Sequence, residues 1–367
     1  VHVWARELPE GALSQLTHIA SQPYVVEHVA AMPDLHVANG VAVGTVFATE
    51  GTIVPSALGG DLGCGMSAIR FDVPASTLGR SELERLLVEL TRVIPVGDAT
   101  HRGKGTTVPD TLLETPLSTG ALEHARERLA PRHLGTLGGG NHFLELDRDA
   151  GGNLWLLVHT GSRGLGAAVA AHHLRVAETF GVGTIPGIPA DTEAARACLS
   201  DLNWTLAFAK ANRDRLIERA CELVDASADL ESRVDVHHNF AREETHFGRT
   251  LLVHRKGAIA APRGERALIP GSMATASYLV EGLGEPLSFA SASHGAGRVL
   301  TRKQARAQVR PHRLVHAMRR VVFDARRAAS LVEEAPEAYR DVREVLDDEA
   351  DLVTPRLRLE PIAVLKG

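Results

Sequence analysis

The residues of this chain whose types could do chemistry are concentrated in glycine-rich loops at the ends of short apolar runs. Asp61 and Cys64 lie in Gly59-Gly60-Asp61-Leu62-Gly63-Cys64-Gly65-Met66, and His142 follows Gly138-Gly139-Gly140-Asn141. His159 opens His159-Thr160-Gly161-Ser162-Arg163-Gly164, His238 lies in Val236-His237-His238-Asn239, and His294 lies in Ser291-Ala292-Ser293-His294-Gly295-Ala296-Gly297-Arg298. Glycine permits positive φ and close backbone approach to a ligand, so such loops are where chemistry is commonly placed. A lone histidine beside a strand is ordinarily a hydrogen-bonded structural residue. Several in one chain, each flanked by glycines that weaken packing and cost entropy, argue for a metal site.

Asp61, Cys64, His142, His159 and His238 supply one carboxylate, one thiolate and three imidazoles. A single cysteine among these donors lacks the paired spacing of structural zinc. It fits one thiolate bridging two ions, with Asp61 and a histidine completing one ion and two histidines the other. Imidazole and thiolate suit zinc while carboxylate suits manganese, so spacing leaves the metal open.

The rest of the chain bounds the setting. With 367 residues, 44% of them hydrophobic and 23% charged, it reads as a globular protein. A net charge of −5 gives no general support for nucleic-acid binding. Local basic stretches remain, at Arg102 with Lys104, at Arg302-Lys303-Gln304-Ala305-Arg306, and from Arg310 to Arg320; each taken alone reads as a solvated helix face. No run suits a membrane span, and the N-terminus has no signal-peptide pattern, so a cytoplasmic location is the expectation. Three cysteines are too few for a disulfide framework, and Cys198 and Cys221 read as small buried hydrophobes. The segment 97–105 superficially resembles a phosphate-binding loop, but it has one residue too many and Gly105 where a Ser or Thr should be.

Short β-branched or apolar runs predict strands at residues 40–48, 67–73, 154–159, 234–237, 250–254 and 361–365. Helical spacing predicts helices over 81–93, 120–129, 165–179, 191–225 and 311–331, with Ser81 and Asp191 as caps. The mixture predicts an α/β or α+β single domain with much irregular backbone.

In order along the chain, these motifs resemble those of the RtcB family of tRNA-splicing and RNA-repair ligases. They are Asp61-Leu62-Gly63-Cys64-Gly65-Met66, Gly139-Gly140-Asn141-His142-Phe143-Leu144-Glu145, His159-Thr160-Gly161-Ser162-Arg163-Gly164, His237-His238-Asn239, His254-Arg255-Lys256-Gly257-Ala258, Pro270-Gly271-Ser272-Met273, Ser293-His294-Gly295-Ala296-Gly297-Arg298 and Lys366-Gly367. The resemblance implies an α+β fold, one large domain over residues 1–367 with β-sheets flanked by helices and a metal and nucleotide site in a central cleft. It also implies a GTP- and Mn²⁺-dependent RNA ligase working through a histidine–GMP adduct. His294 would be the nucleophile, and Asp61, Cys64, His142, His159 and His238 the ligands of two manganese ions. Asn141, Phe143, Glu145, Asn239, Ser272, Ala296, Gly297 and Lys366 would line the guanine-nucleotide pocket, with Lys366 folding back onto the base. The substrates would be RNA ends bearing a 3′-phosphate or 2′,3′-cyclic phosphate and a 5′-hydroxyl. The resemblance leaves open an archease-like activator and the metal's replacement by zinc or cobalt; a monomer is expected. Ala274 stands where glycine is expected and the approach to Lys366 diverges, which marks a paralogue. Two rival readings are a metal-dependent phosphodiesterase or phosphatase without covalent GMP, and an inactive RNA-binding paralogue.

Overall fold

The computed structural model describes residues 1–367. The run Leu154-Trp155-Leu156-Leu157-Val158 is apolar at every position, as a strand covered on both faces must be. It forms the middle of strand Asn153–Thr160, in an antiparallel seven-stranded sheet. The order across that sheet is Arg266–Ile269, Ser277–Gly282, Val353–Lys366, Phe143–Arg148, Asn153–Thr160, Gly65–Pro74, Ala228–His237. Alternate side chains serve two cores. Ile69, Phe71, Leu144, Leu156 and Val158 pack with residues of helices Arg80–Val93 and Glu193–Val224. Met66, Ala68, Trp155 and Leu157 pack on the opposite face.

A five-stranded sheet runs His2–Val3, Val25–His36, Val43–Thr49, Arg249–Lys256, Asn239–His246. The chain passes between the sheets at His237-His238-Asn239, and the small ribbon Ala258–Ala260 with Ser291–Ser293 delivers the His294 loop. The fold is α+β, as expected.

Each expected strand is present, with Pro361–Leu365 only the end of the longer Val353–Lys366. Phe143–Arg148 and Val25–His36 were not anticipated as strands. The helix expected over 311–331 is a correction: Pro311–Ala317 and Ala328–Leu331 are separate short helices joined by irregular backbone and the 3₁₀ turn Ala325–Arg327. The expected caps also shift. Gly79, not Ser81, precedes Arg80–Val93, and Thr192, not Asp191, caps Glu193–Val224 by accepting the Ala195 N–H.

Arg213, fully buried on the long helix, ties that helix to the sheet. It bonds Asp235 Oδ1 at 2.6 Å and Oδ2 at 3.1 Å, and reaches the Thr160 carbonyl at 3.2 Å. Burial alone would raise the Asp235 pKa, but the guanidinium outweighs it and holds the carboxyl well below its ordinary value. This stabilisation is therefore present above the ordinary carboxyl range, about pH 4, and is lost as pH falls through the depressed value. Removing Arg213 leaves the Asp235 carboxylate with only the longer Arg233 contact at 3.2 Å and the Ser67 hydroxyl. Arg213→Leu is expected to cost about 3–5 kcal/mol in denaturant unfolding at pH 7, with much of it recovered in Arg213→Leu/Asp235→Leu. A loss below about 1 kcal/mol, the range of an exposed pair, contradicts this.

Candidate functional site

The sheet's register assembles the site. Five adjacent strands end at one edge: Lys366 pairs with Phe143, Phe143 with His159, Met66 with His159, and Gly65 with His237. Cys64, His142 and His238 are the neighbours of these strand ends, and the His238 N–H donates to the Cys64 carbonyl at 2.9 Å. Residues scattered over 300 positions of sequence become one row because antiparallel strands alternate direction.

In that row, Cys64 Sγ lies 3.4 Å from His142 Nε2 and 3.3 Å from His159 Nε2. His142 Nε2 is 3.0 Å from Asp61 Oδ2, and His159 Nε2 is 3.1 Å from His238 Nε2. His142 Nδ1 lies 2.9 Å from the Leu137 carbonyl and His159 Nδ1 3.2 Å from that of Asn141. Those carbonyls can only accept, so each Nδ1 carries a proton; His159 then turns an Nε2 lone pair toward the sulfur, while His142 Nε2 faces both the sulfur and the Asp61 carboxylate. His238 Nδ1 is buried with no partner. Burial, and next the charges of neighbouring histidines, push His159 and His238 well below the ordinary imidazole pKa. Burial, then Asp61, raises the Cys64 thiol.

The Cys64 S–H and the one proton of the His238 ring can serve only some of these inward-facing lone pairs, and a divalent cation in their place would be ligated by all of them. The donors fall into two groups sharing the sulfur, Asp61–Cys64–His142 and Cys64–His159–His238. The residues present therefore fit a metal centre of one or two ions, in the division that the donor types suggested. Asn239 ties the Asp61 loop to Gly257: its amide donates to the Asp61 carbonyl at 3.1 Å and accepts the Gly257 N–H at 3.0 Å.

A cavity opens beside this cluster. Its wall includes Asn141, Phe143, Glu145, Ser272, Ala296, Gly297 and Lys366, together with His159 and His294. Lys366 reaches it as the last residue of the strand Val353–Lys366. Its Nζ lies 3.1 Å from Glu334 Oε2, 2.9 Å from the Asn141 carbonyl and 5.3 Å from the Phe143 ring centre. Burial, and next the Asp147 carboxyl, raises the Glu145 pKa, with Lys366 opposing. Arg298 stacks on Tyr339 at 4.8 Å and pairs with Glu334 at 3.2 Å.

His294 bridges cluster and cavity, its ring centre 4.7 Å from that of His238. Asp34 Oδ2 accepts the His294 backbone N–H at 3.1 Å and lies 2.6 Å from Nδ1, a contact that is an ion pair only when the imidazole is protonated. Burial would lower the His294 pKa, but the Asp34 charge outweighs it and raises the value. Gly297, at φ +69°, brings the loop so close to Asp34 that an added Cβ would meet Asp34 backbone atoms at 2.8–2.9 Å. Behind the loop, Glu349 accepts the Ser293 N–H at 2.9 Å, and burial raises its pKa to about 8. Sequence reading missed Asp34, Glu334 and Glu349. Asp34 carried one signal, a lone carboxylate in the apolar run Val29-Ala30-Ala31-Met32-Pro33-Asp34-Leu35.

If both cations share Cys64, Cys64→Ala should weaken divalent-cation binding at least about a hundredfold in calorimetric titration, more than losses from outlying residues. Cys198→Ala, in a separate apolar core, should leave binding unchanged. Full binding by Cys64→Ala would exclude the shared sulfur.

No helix is long and apolar enough to cross a membrane. A family model described as tRNA-splicing ligase RtcB matches residues 15–367. The chain is 33% identical to the RNA-splicing ligase RtcB of Escherichia coli strain K12 over 401 residues, covering 100% of this chain and 97% of that protein. It is 32% identical to the tRNA-splicing ligase RtcB of Thermococcus kodakarensis, covering 97% of this chain and 91% of that protein. With the RNA-splicing ligase RtcB of Mycobacterium tuberculosis it shares 31% identity, over 96% of this chain and 100% of the other. Family model and full-length relatives agree: the chain belongs to the RtcB family of RNA ligases.

Proposed function

We propose that this chain joins RNA ends bearing a 3′-phosphate or 2′,3′-cyclic phosphate to 5′-hydroxyl ends, using GTP and Mn²⁺, through GMP carried on His294. The observation that carries this reading is the position of His294, with the metal-ligand cluster on one side and the Lys366 cavity on the other. Manganese and GTP come from the motif resemblance, and the mixed carboxylate, imidazole and thiolate donors are compatible with manganese. Asp61, Cys64, His142, His159 and His238 would hold the ions, which supply Lewis-acid stabilisation of charge on phosphoryl oxygens.

Asp34 holds the Nδ1 side of the ring, which leaves Nε2 for attack. A new Nε2–P bond forms at the α-phosphorus of GTP as the bond to pyrophosphate breaks. Charge left on the imidazole by this step is offset by Asp34. An oxygen of the RNA 3′-phosphate then attacks the same phosphorus; the P–N bond breaks and GMP passes to the RNA end. Attack by the 5′-hydroxyl oxygen on the 3′-phosphorus forms the phosphodiester, expels GMP and releases the hydroxyl proton to solvent. A cyclic phosphate is first opened by water at the same site. Covalent carriage divides one difficult displacement into easier ones.

The cavity suits guanine. Its O6 accepts, and N1–H with the 2-amino group donates, so a lysine beside a carboxyl offers complementary partners. Lys366 and Glu145 supply that pair, with Phe143 a face for the base. Ala296 and Gly297 keep the loop small, so a phosphate can approach backbone N–H groups.

Incubation with α-³²P-GTP and Mn²⁺, using protein freed of bound GMP, should give an acid-labile, alkali-stable label that His294→Ala lacks. An unlabelled wild type overturns the reading, and favours a phosphodiesterase or phosphatase if phosphate release persists. Asp34→Asn should slow labelling by about tenfold to a hundredfold, the value of a charge-assisted contact expressed as rate. Lys366→Ala should raise the GTP KM for labelling; an unchanged KM places the base elsewhere.

A further inference from the structure

Residues 302–320 carry seven Lys and Arg residues and no Asp or Glu, in a chain where carboxylates outnumber cations 45 to 40. Local charge is therefore opposite to that of the whole. The segment folds as two short helices, Arg302–Gln308 and Pro311–Ala317. Ala305, Val309, Leu314 and Met318 are buried, and the last three pack with Met273 and Val364 behind the cavity. All seven cations, and His312 and His316, are exposed on the remaining surface.

Two of the cations are engaged. Arg306 pairs with Glu333, and Arg302 lies 3.9 Å from both Glu333 and Glu334. Lys303, Arg310, Arg313, Arg319 and Arg320 form no ion pair, so their charge is not neutralised by the protein. The segment also has a direction. Arg302 lines the cavity, its guanidinium 2.6 Å from where a Cβ on Gly140 would stand, beside Asn141 and His142. Arg320 lines a separate open cleft with Arg148, Arg343, Arg358 and the half-buried Tyr278. In that cleft Asp341 pairs with Arg343, and Glu360 serves both Arg148 and Arg358, which leaves positive charge in excess.

We propose that residues 302–320 are a track for the sugar–phosphate backbone of single-stranded RNA, leading a strand from the Arg320 cleft to the Arg302 side of the cavity. The inference rests on RNA being the substrate of the site described above. A polyanion matches a row of unpaired cations without demanding sequence, and Tyr278 offers a face on which a base can stack. Each helix of seven residues is about 10 Å long, so together they span several phosphates rather than one. An acidic protein segment is the other occupant such charge could attract, and binding to RNA separates the two.

The test uses a fluorescent single-stranded RNA ending in a 3′-phosphate, titrated with the full chain by anisotropy from 50 to 200 mM KCl, without GTP or Mn²⁺. The variant is Lys303→Gln/Arg310→Gln/Arg313→Gln, which spares Arg302 because that residue lines the cavity. Three lost phosphate contacts should flatten the plot of log affinity against log salt by about 2, and weaken binding about a hundredfold at 0.1 M salt, with the difference closing toward 1 M. GMP labelling should be unchanged, because GTP reaches His294 without the track, and it also shows that the variant is folded. Unchanged affinity and slope in a labelling-competent variant overturn the track, as does a wild type that does not bind the RNA. If the triple variant loses its label, Arg319→Gln/Arg320→Gln is measured in the same way, with a flattening of about 1.4 expected and none contradicting. Failure of the ligase reading itself would show differently, as a wild type that takes no GMP label whatever its affinity for RNA.

Discussion

One thiol, three imidazoles and a carboxyl packed together out of water form an arrangement that opposes itself. Most of their lone pairs face inward, and the ring protons of His142 and His159 are committed to the carbonyls of Leu137 and Asn141, so the Cys64 S–H and the one His238 proton relieve the repulsion only in part. Burial disfavours the charged forms of His159, His238 and Cys64 alike. A divalent cation inverts each of these costs, since it favours neutral imidazole and thiolate. The rest of the structure serves to hold these groups together in spite of that repulsion.

The holding is done by backbone. Cys64, His142, His159 and His238 are each adjacent to, or part of, the end of a strand in one sheet, so a slip of register by one residue would turn donors away from the centre. Arg213, without solvent contact, locks the long helix onto Asp235 and the Thr160 carbonyl beneath this edge. The nucleophile arrives from a different element, the Ser291–Ser293 ribbon, and Asp34 comes from the other sheet. The cleft is thus the seam between two sheets. Cations at the seam, Lys366, Arg298 and Arg302, suit a site whose ligands are phosphates.

Much of this was legible in sequence. The five metal-ligand candidates could be named from residue type and glycine context, and their division around one sulfur followed from donor chemistry. Leu154 to Val158 announced a buried central strand. Other parts were hidden for identifiable reasons. Phe143–Arg148 read as loop because it follows the glycine run directly and has no β-branched residue, while Glu145 and Asp147, both buried, alternate with Leu144 and Leu146. The stretch 311–331 kept helical spacing, but the chain turns after Ala317 and packs Leu314 against Leu331 in one apolar cluster. Asp34 and Glu349 contact His294 and its neighbour across 260 and 56 residues, and no local pattern reports such a distance. Asn239, grouped with the pocket by motif, bonds the Asp61 carbonyl and the Gly257 N–H across distant loops.

The central claim is that Cys64 lies between two cations. Anomalous diffraction at the manganese edge, from crystals grown with Mn²⁺, tests it most directly. Two peaks are expected, one among Asp61, Cys64 and His142 and the other among Cys64, His159 and His238, each within bonding distance of the same sulfur. A single peak, or two of which only one touches Cys64, would contradict the account.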